Sequence, residues 1–460
     1  MARVGGFSSQ RYPVAHVATM CGGFVMRQGS QLVEDVQIDS RLCSRGSLFF
    51  ALPGAHADGV SYVGKAALLG CSAVVVSHAD TTRALEMVGS YPCAVIAVRD
   101  TLSALQTLAR EYRKLFAQVT AVGITGSCGK STTKEAIAAI TSTLGNTVKT
   151  PGNLNSEIGL PLSILQLQGD TRYGIFELGI DHVGEMDRMV SMLKPDIGLL
   201  TNIGISHLEK FNSRATILAE KGKLFHPAMQ MGFVSEDCPF AKVLEMRSKL
   251  SLKRYGMGDI QAVDKGLDGW DLTFEGERFH VNCVGKHLLS DVFGAIQVGL
   301  ALGADKADIA QGLEGFLPMQ GRSYVHKSGV TIIDDSYNAS LDSTTSILGY
   351  LAGLKWKGSK KVVLGSMKEL GKESRGAHAK VARQLFASPM GNTYLYGPEM
   401  KGAYDLLRQL GYASPLFYTD DFSELEQSIV EKTRCGDLYL LKASRSMAME
   451  RLIPSISQAG

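Results

Sequence analysis

The sequence predicts an α/β protein of three domains. These are a mixed α/β N-terminal unit, a central unit with a parallel sheet behind a phosphate-binding (P-loop-type) turn, and a C-terminal doubly wound unit of Rossmann type. Three observations predict it. The chain has 460 residues, and at roughly 150 residues per domain that length suggests three domains. Short β-rich runs alternate with segments long enough for crossover helices, the pattern of parallel sheets. Residues 119–139 read as strand, glycine-rich turn and helix, the unit that holds phosphate groups.

In the N-terminal unit, strands are expected near Leu48–Leu52 and Ala73–Val76, and Leu102–Phe116 reads as a helix leading into the next domain. The boundaries fall near 116 and 320, giving domains 1–116, 117–319 and 320–460. In the central unit, Val119–Ile124 is a β-rich run suited to a buried parallel strand. Beyond the turn, Ile137, Ile140, Thr141 and Leu144 recur at helical spacing, and Tyr173–Leu178 and Asp196–Thr201 are further strands. In the last third, Val330–Asp334, Lys361–Gly365, Thr393–Tyr396, Leu416–Tyr418 and Leu438–Lys442 read as strands. Each runs into a polar or glycine-containing loop, and doubly wound sheets bind ligands at the carboxyl ends of their strands.

Composition excludes several classes. Hydrophobic residues are 45% and charged residues 20%, ordinary for a globular chain able to bury cores. A net charge of +3 leaves no electrostatic footprint for nucleic acid or an anionic membrane. No signal-peptide core and no bilayer-spanning apolar run appears, so a cytoplasmic location is expected. The cysteines, Cys21, Cys43, Cys71, Cys93, Cys128, Cys238, Cys283 and Cys435, are dispersed without a CxxC pair. That is neither a disulfide framework nor a zinc site.

The segment Gly123-Ile124-Thr125-Gly126-Ser127-Cys128-Gly129-Lys130-Ser131-Thr132 carries the strongest chemical signal. Its glycines let backbone N–H groups wrap a phosphate chain, and the following helix adds the positive end of its dipole. Lys130 supplies a point charge for the β/γ-phosphates, and the Ser131 hydroxyl suits a Mg²⁺ ligand. Thr125, Gly126, Ser127, Cys128, Gly129 and Thr132 complete the nucleotide-binding set. Ile124 occupies the first glycine position of the usual GxxxxGK[ST] pattern, and a purely structural turn before a helix is the bland alternative.

Thr125 to Thr132 resembles the TGxxGK[ST] loop of the Mur ligase family, which departs from the usual pattern in the same way. Gly152 to Leu162, Glu177-Leu178-Gly179, Asn202 to Glu209 with His207, and Asp334 to Ala339 resemble that family's D-alanyl-D-alanine-adding branch. Asp39-Ser40-Arg41, with Gly46, Phe49, Ala51, Gly54 and Asp58-Gly59, is similar to its UDP-muramoyl-binding domain. The resemblance covers nearly the whole chain, in order.

It implies a bacterial, monomeric ligase with ATP and Mg²⁺ as cofactors and two small-molecule partners, a UDP-muramoyl-tripeptide and D-alanyl-D-alanine. A substrate carboxylate takes the γ-phosphoryl group, and the amine then displaces phosphate from the acyl phosphate. Both steps crowd negative charge, so positioned cations and donors must do most of the catalysis. The resemblance makes Lys130, Glu177, His207, Lys221 and Arg322 the catalytic set, with Glu177 and His207 on Mg²⁺. A surface carboxylate and a satisfied loop histidine are the alternatives. Lys221 aligns with a lysine carbamylated in several Mur ligases, which would let it bind a second Mg²⁺; a solvated helix lysine is the alternative, and Lys223 stands where the family usually has an acid. Arg322 is expected on the ATP phosphates, Asp335 on the nucleotide side of the third domain, and Ser40, Arg41, Asn153, Asn155, Tyr337 and Asn338 on substrate. Lys442, Ser444 and Arg445 resemble the family's final basic loop.

Departures are visible. Ser366 stands where the family favours an acid, Ala443 where it has glycine, and Leu288 and Asp291 where it has asparagines. Asp291 is expected on the adenine, where an ionised carboxylate can accept but not donate. Rival readings are a folylpolyglutamate-type or diamino-acid-adding ligase, a P-loop motor that hydrolyses ATP without an amine substrate, and a catalytically dead binding module.

Overall fold

A computed structural model describes the chain except residues 1–6, 8–10, 30, 31, 55–57, 205–207, 237 and 259. Three main sheets follow one another along the sequence. In the N-terminal five-stranded sheet, Ala73–Ser77 lies between Ser47–Phe50 and Ala94–Val98, paired parallel to both. Asp35–Gln37 continues the parallel ladder and Phe24–Arg27 closes the other edge antiparallel. Ala73–Val76 and Ala94–Val98 are fully buried, as apolar runs covered on both faces must be.

The central sheet has six parallel strands, in the order Leu252–Tyr255, Met231–Ser235, Ile197–Leu200, Thr120–Thr125, Tyr173–Glu177, Thr147–Lys149. Thr120–Thr125 is therefore interior, and the chain switches from one side of it to the other between Tyr173–Glu177 and Ile197–Leu200. Such a switch point opens a crevice at the carboxyl ends of the strands. The sequence reading missed an antiparallel three-stranded sheet, Gln261–Asp264, Trp270–Phe274 and Glu277–Val281. Trp270, Leu272 and Phe274 point alternately into the core shared with Ile137 and Ile140 of the phosphate-loop helix.

The C-terminal sheet runs Tyr324–Lys327, Thr331–Asp335, Leu438–Lys442, Lys360–Gly365, Asn392–Tyr396, Leu416–Thr419. It is parallel except for the first hairpin.

The junctions differ in construction. Helix Thr101–Lys114 is glued to the central unit: Tyr112 donates to the Leu167 carbonyl at 2.9 Å, and the buried Arg113 donates to Phe116, Val119 and Leu193 carbonyls. The second junction is lighter. Gly321, with φ +77°, donates to Asp334 at 2.9 Å and accepts from the Tyr337 N–H at 2.9 Å. Among the described residues no helix is long and apolar enough to cross a membrane.

Candidate active site

Register brings the site together. Glu177 is paired with Ile124 and Leu200 with Thr125, so Glu177 and the Thr201-Asn202 segment end beside the phosphate loop. The loop fits its neighbours closely. A Cβ on Gly126 would collide with the Thr201 hydroxyl, and one on Gly129 with the Asp291 carboxylate; Gly129 also needs φ +83° to start the helix Lys130–Leu144. Only glycine meets both demands cheaply. Thr201 donates to the Cys128 carbonyl at 2.5 Å, and Asn202 Oδ1 accepts from the N–H groups of Ser127 and Cys128 at 3.0 and 2.9 Å. The Asn202 side chain thus shapes the loop, a role the sequence reading did not assign. Its signal was the place itself, just past the apolar Leu199-Leu200 run.

Lys130 folds back, Nζ donating to the Gly126 carbonyl at 2.8 Å. Lys221 Nζ donates to the same oxygen at 3.0 Å. Two amines on one acceptor cannot both carry a full charge cheaply. Lys221 is 1% exposed, and burial, with Lys130 beside it, pushes it down to about 7. The solvated-lysine alternative for Lys221 is thereby overturned. Lys223 does not substitute for an acid; it pairs with Glu220 and Asp187 at 2.6 Å each. Glu220 is buried and caps the N–H groups of Gly184 and Met186.

Glu177 is also 1% exposed, so it is no surface carboxylate. Its oxygens accept from Ser131 Oγ and Asn155 Nδ2 at 2.7 Å each. Lys134, buried one turn into the helix, donates to the Thr150 and Gly152 carbonyls at 2.9 and 3.3 Å and holds the loop that carries Asn153 and Asn155. Asn153 is exposed on that loop. A hydroxyl and a carboxylate facing one another at a phosphate loop are hard oxygen donors of the kind Mg²⁺ takes, with water and phosphate oxygens completing the shell. His207 lies outside the described residues. Among those described, no cluster of three or more His, Cys, Asp or Glu forms a protein-only metal cage.

Asp291 sits under the loop, and burial pushes its carboxyl up to about 7, against the opposing pull of Thr133, Arg322 and Lys130. The expectation of a fully ionised Asp291 is therefore corrected: near neutrality much of it carries a proton. Leu288 faces the apolar core, so it contributes no polar contact in place of an asparagine. Thr125 Oγ1 donates to Leu178 O at 2.8 Å, and Thr132 is buried in the first turn of the helix.

The C-terminal unit leans on this loop: Cys128 Sγ is 3.3 Å from Ser340 Oγ. Arg322 lies over the Tyr337 ring, 4.0 Å from its centre, and its Nε is buried with no acceptor among the described residues. Asp335 and Lys442 are register partners, bonded at 2.6 Å, and Lys442 also donates to the Asn338 carbonyl. The exposed Asn338 accepts from Ala339 N. Ser444 Oγ accepts from Lys368 N at 2.8 Å, and Arg445 pairs with Glu450. The acid absent at Ser366 has a neighbour in Glu399, bonded to Lys368 at 2.6 Å and held low partly by Lys368 and Ser366. Ala443 meets Gly365, whose Cβ would clash with it. Ser40 and Arg41 lie apart, in a short 3₁₀ turn of the N-terminal unit capped by Asp39, which also pairs with the exposed Arg41 at 2.6 Å.

Three profiles of one family match this chain: the Mur ligase catalytic domain over 33–113, the Mur ligase middle domain over 124–299, and the Mur ligase glutamate ligase domain over 321–445. The UDP-N-acetylmuramoyl-tripeptide–D-alanyl-D-alanine ligase of Treponema pallidum is 34% identical over 93% of this chain and 94% of its own length. The chain belongs to the Mur ligase family. The Bacillus subtilis ligase of the same name is 31% identical over 93% of this chain and 94% of its own. Among solved Mur ligases, MurF from Acinetobacter baumannii superposes with a TM-score of 0.85 at 26% identity, covering 98% of this chain and 99% of its own. MurF from Thermotoga maritima, in complex with ADP, gives 0.76 at 26% identity over 92% and 97%.

Proposed function

We propose that this Mur ligase joins D-alanyl-D-alanine to the terminal carboxylate of a UDP-N-acetylmuramoyl-tripeptide, with ATP converted to ADP and phosphate. The observation that carries the reading is the end-to-end likeness to ligases bearing that name, in a chain that keeps the phosphate loop, Glu177 and Lys221 in mutual contact.

The carboxylate attacks the γ-phosphorus, the bond to ADP breaks, and an acyl phosphate forms. The amine then attacks the acyl carbon, the C–O bond to phosphate breaks, and a proton leaves the nitrogen. Asn202 ties up the N–H groups of Ser127 and Cys128. The N–H groups of the helix start at Lys130–Thr132 remain to take phosphate oxygens. Lys130 swings from the Gly126 carbonyl onto the transferred group, and Arg322, whose Nε lacks an acceptor, supplies a second cation. Ser131 and Glu177, with His207 as the family resemblance implies, would hold Mg²⁺, which would offset the phosphate charge. Lys221, its amine largely unprotonated above pH 7, would form an N–C bond to CO₂ and lose a proton from the nitrogen to solvent, and the resulting carbamate could hold a second Mg²⁺.

Residues 1–116, with Ser40 and Arg41, are assigned to the UDP-muramoyl end. Residues 117–319, with Asn153 and Asn155, take ATP and the peptide carboxylate. Residues 320–460, with Asp335, Tyr337 and Asn338, close on both. A monomer is part of the same reading, and ATP and UDP-linked substrates support a cytoplasmic, bacterial setting without nucleic-acid or membrane partners.

The test is product analysis. Incubated with ATP, Mg²⁺, UDP-muramoyl-tripeptide and D-alanyl-D-alanine, the protein should convert the tripeptide to a species heavier by one dipeptide less water. ADP formation without that species would refute the reading.

A further inference from the structure

The C-terminal unit also touches the central one through the loop that follows strand Lys360–Gly365. The N–H groups of this loop are taken one after another. Ser366 N donates to the Tyr396 carbonyl at 3.0 Å, Met367 N to His378 Nε2 at 3.1 Å and Lys368 N to Ser444 Oγ at 2.8 Å. Lys368 Nζ is also bonded to both oxygens of Glu399, at 2.6 and 2.8 Å. So fixed, the chain passes through Glu369 at φ +63° and Gly371 at φ +51°. The left-handed region is costly for a residue with a Cβ, and such a conformation persists where its surroundings over-determine it.

The bent loop ends against the central unit. The 3₁₀ turn Gly371–Glu373 packs on the short helix Leu208–Phe211. A Cβ on Gly371 would stand 3.3 Å from Glu209 Cβ and 3.5 Å from its Cα. On the same helix, Lys210 donates to Asp181 at 2.8 Å. Burial works against the Lys210 charge, and Asp181, Glu369 and Glu185 outweigh it, so carboxylates of both units act on one ammonium. Helix Leu208–Phe211 follows directly on His207, and the stretch that leads to it begins at Asn202, whose Oδ1 holds the phosphate loop. A shift of this helix is therefore felt beside the phosphoryl-transfer site.

His378 holds the loop from within the C-terminal core. It is 1% exposed, and its Nδ1 is 2.7 Å from the Ser374 carbonyl. A carbonyl can only accept and a backbone N–H can only donate, so Nδ1 carries the proton and Nε2 offers its lone pair to Met367. Burial favours the neutral ring, which keeps that lone pair free. We propose that His378 is a positioning residue for the ligase reaction, holding the loop Ser366–Gly371 in the shape that docks on Leu208–Phe211. The proposal rests on the ligase reading and adds to it a contact by which the seated C-terminal unit acts on the segment from Asn202 to Phe211.

Two substitutions separate the two bonds of the ring. Glutamine puts an acceptor near the position of Nε2, whereas asparagine reaches only that of Nδ1. Amide hydrogen exchange is followed on the full chain, and turnover with ATP, Mg²⁺, UDP-muramoyl-tripeptide and D-alanyl-D-alanine. In His378→Asn, peptides covering 366–371 and 208–211 should both exchange about tenfold faster, with strand Thr120–Thr125 unchanged. Turnover should fall about tenfold while KM for ATP stays within about twofold. His378→Gln should bring exchange and turnover back to within about twofold of the wild type. Gly371→Ala, at an exposed position that leaves His378 untouched, should reproduce the faster exchange at 208–211 and the loss of turnover. Faster exchange confined to 366–371, equal turnover in the Asn and Gln variants, or a Gly371→Ala protein that behaves as the wild type would overturn the proposal. No turnover in the wild type would sink the ligase reading itself, and exchange at 208–211 would still decide the docking.

Discussion

Asp291 offers a quantitative test of the packing beneath the phosphate loop. Its carboxyl is pushed from 3.8 to about 7 because burial, with Gly129 packed against it, takes the charged form out of water. In the unfolded chain the group ionises near pH 4. Between pH 4 and pH 7 the folded state therefore holds a proton that the unfolded state has lost, and stability falls as pH rises across that window. At about 1.4 kcal/mol per unit, the loss reaches ~4 kcal/mol once both states are ionised. An asparagine in its place carries no titrating group. Relative to wild type, the variant Asp291→Asn should gain ~2–3 kcal/mol between pH 5 and pH 8. For a unit of 150–250 residues, at roughly 2–4 °C per kcal/mol, that widens the Tm difference by ~5–10 °C. The titration of Lys221 is common to both proteins and cancels. Thermal melts of the two proteins at pH 5 and pH 8 decide it. A Tm difference that is the same at both pH values would refute the argument that Asp291 is a buried, proton-holding group.

The same variant should lower KM for ATP several-fold at pH 8 and less at pH 6, where the protonated acid already offers a donor and an acceptor as an amide does; a pH-independent KM ratio would remove Asp291 from nucleotide binding. Lys130→Ala should cut turnover by at least ~10²-fold, the scale for losing one preorganised charge, with an unchanged Tm; near-normal turnover would remove Lys130 from the mechanism. Lys221, held at about 7, should be roughly 90% unprotonated at pH 8 against under 1% for an ordinary lysine. Turnover at pH 8 should therefore fall when CO₂ is stripped and recover with bicarbonate, and indifference to CO₂ would exclude carbamylation. Cys128 is half-buried at the loop, Cys435 is exposed and the other cysteines are buried. Peptide mapping after brief alkylation should find Cys128 protected by Mg-ATP and Cys435 unaffected; equal labelling of Cys128 with and without nucleotide would count against its place in the loop.

What the sequence disclosed, and what it hid, follows from the range of the interactions. Glycine spacing and the strand before it are local, so the loop from Thr125 to Thr132 and its helix could be read directly. Glu177 could be placed at a strand end, but its contacts with Ser131 and Asn155 depend on the parallel register of Tyr173–Glu177 beside Thr120–Thr125. Register between distant strands leaves little trace in either strand alone. Lys221 and Asp291 show the limit most clearly. Each looks like an ordinary charged residue on a helix, and each is buried because another element lies over it, which changes its protonation. Trp270–Phe274 and Glu277–Val281 were missed although their alternation is clear in the structure. Short strands beside a glycine turn compete poorly with the surrounding α/β pattern.

The most direct measurement of the central claim is phosphate release from ATP with UDP-muramoyl-tripeptide, with and without D-alanyl-D-alanine. The acyl phosphate needs the carboxylate and its discharge needs the amine, so sustained release should require both substrates and match the amide formed one for one. Rapid phosphate release with neither substrate present would contradict the account and favour a nucleotide-driven motor.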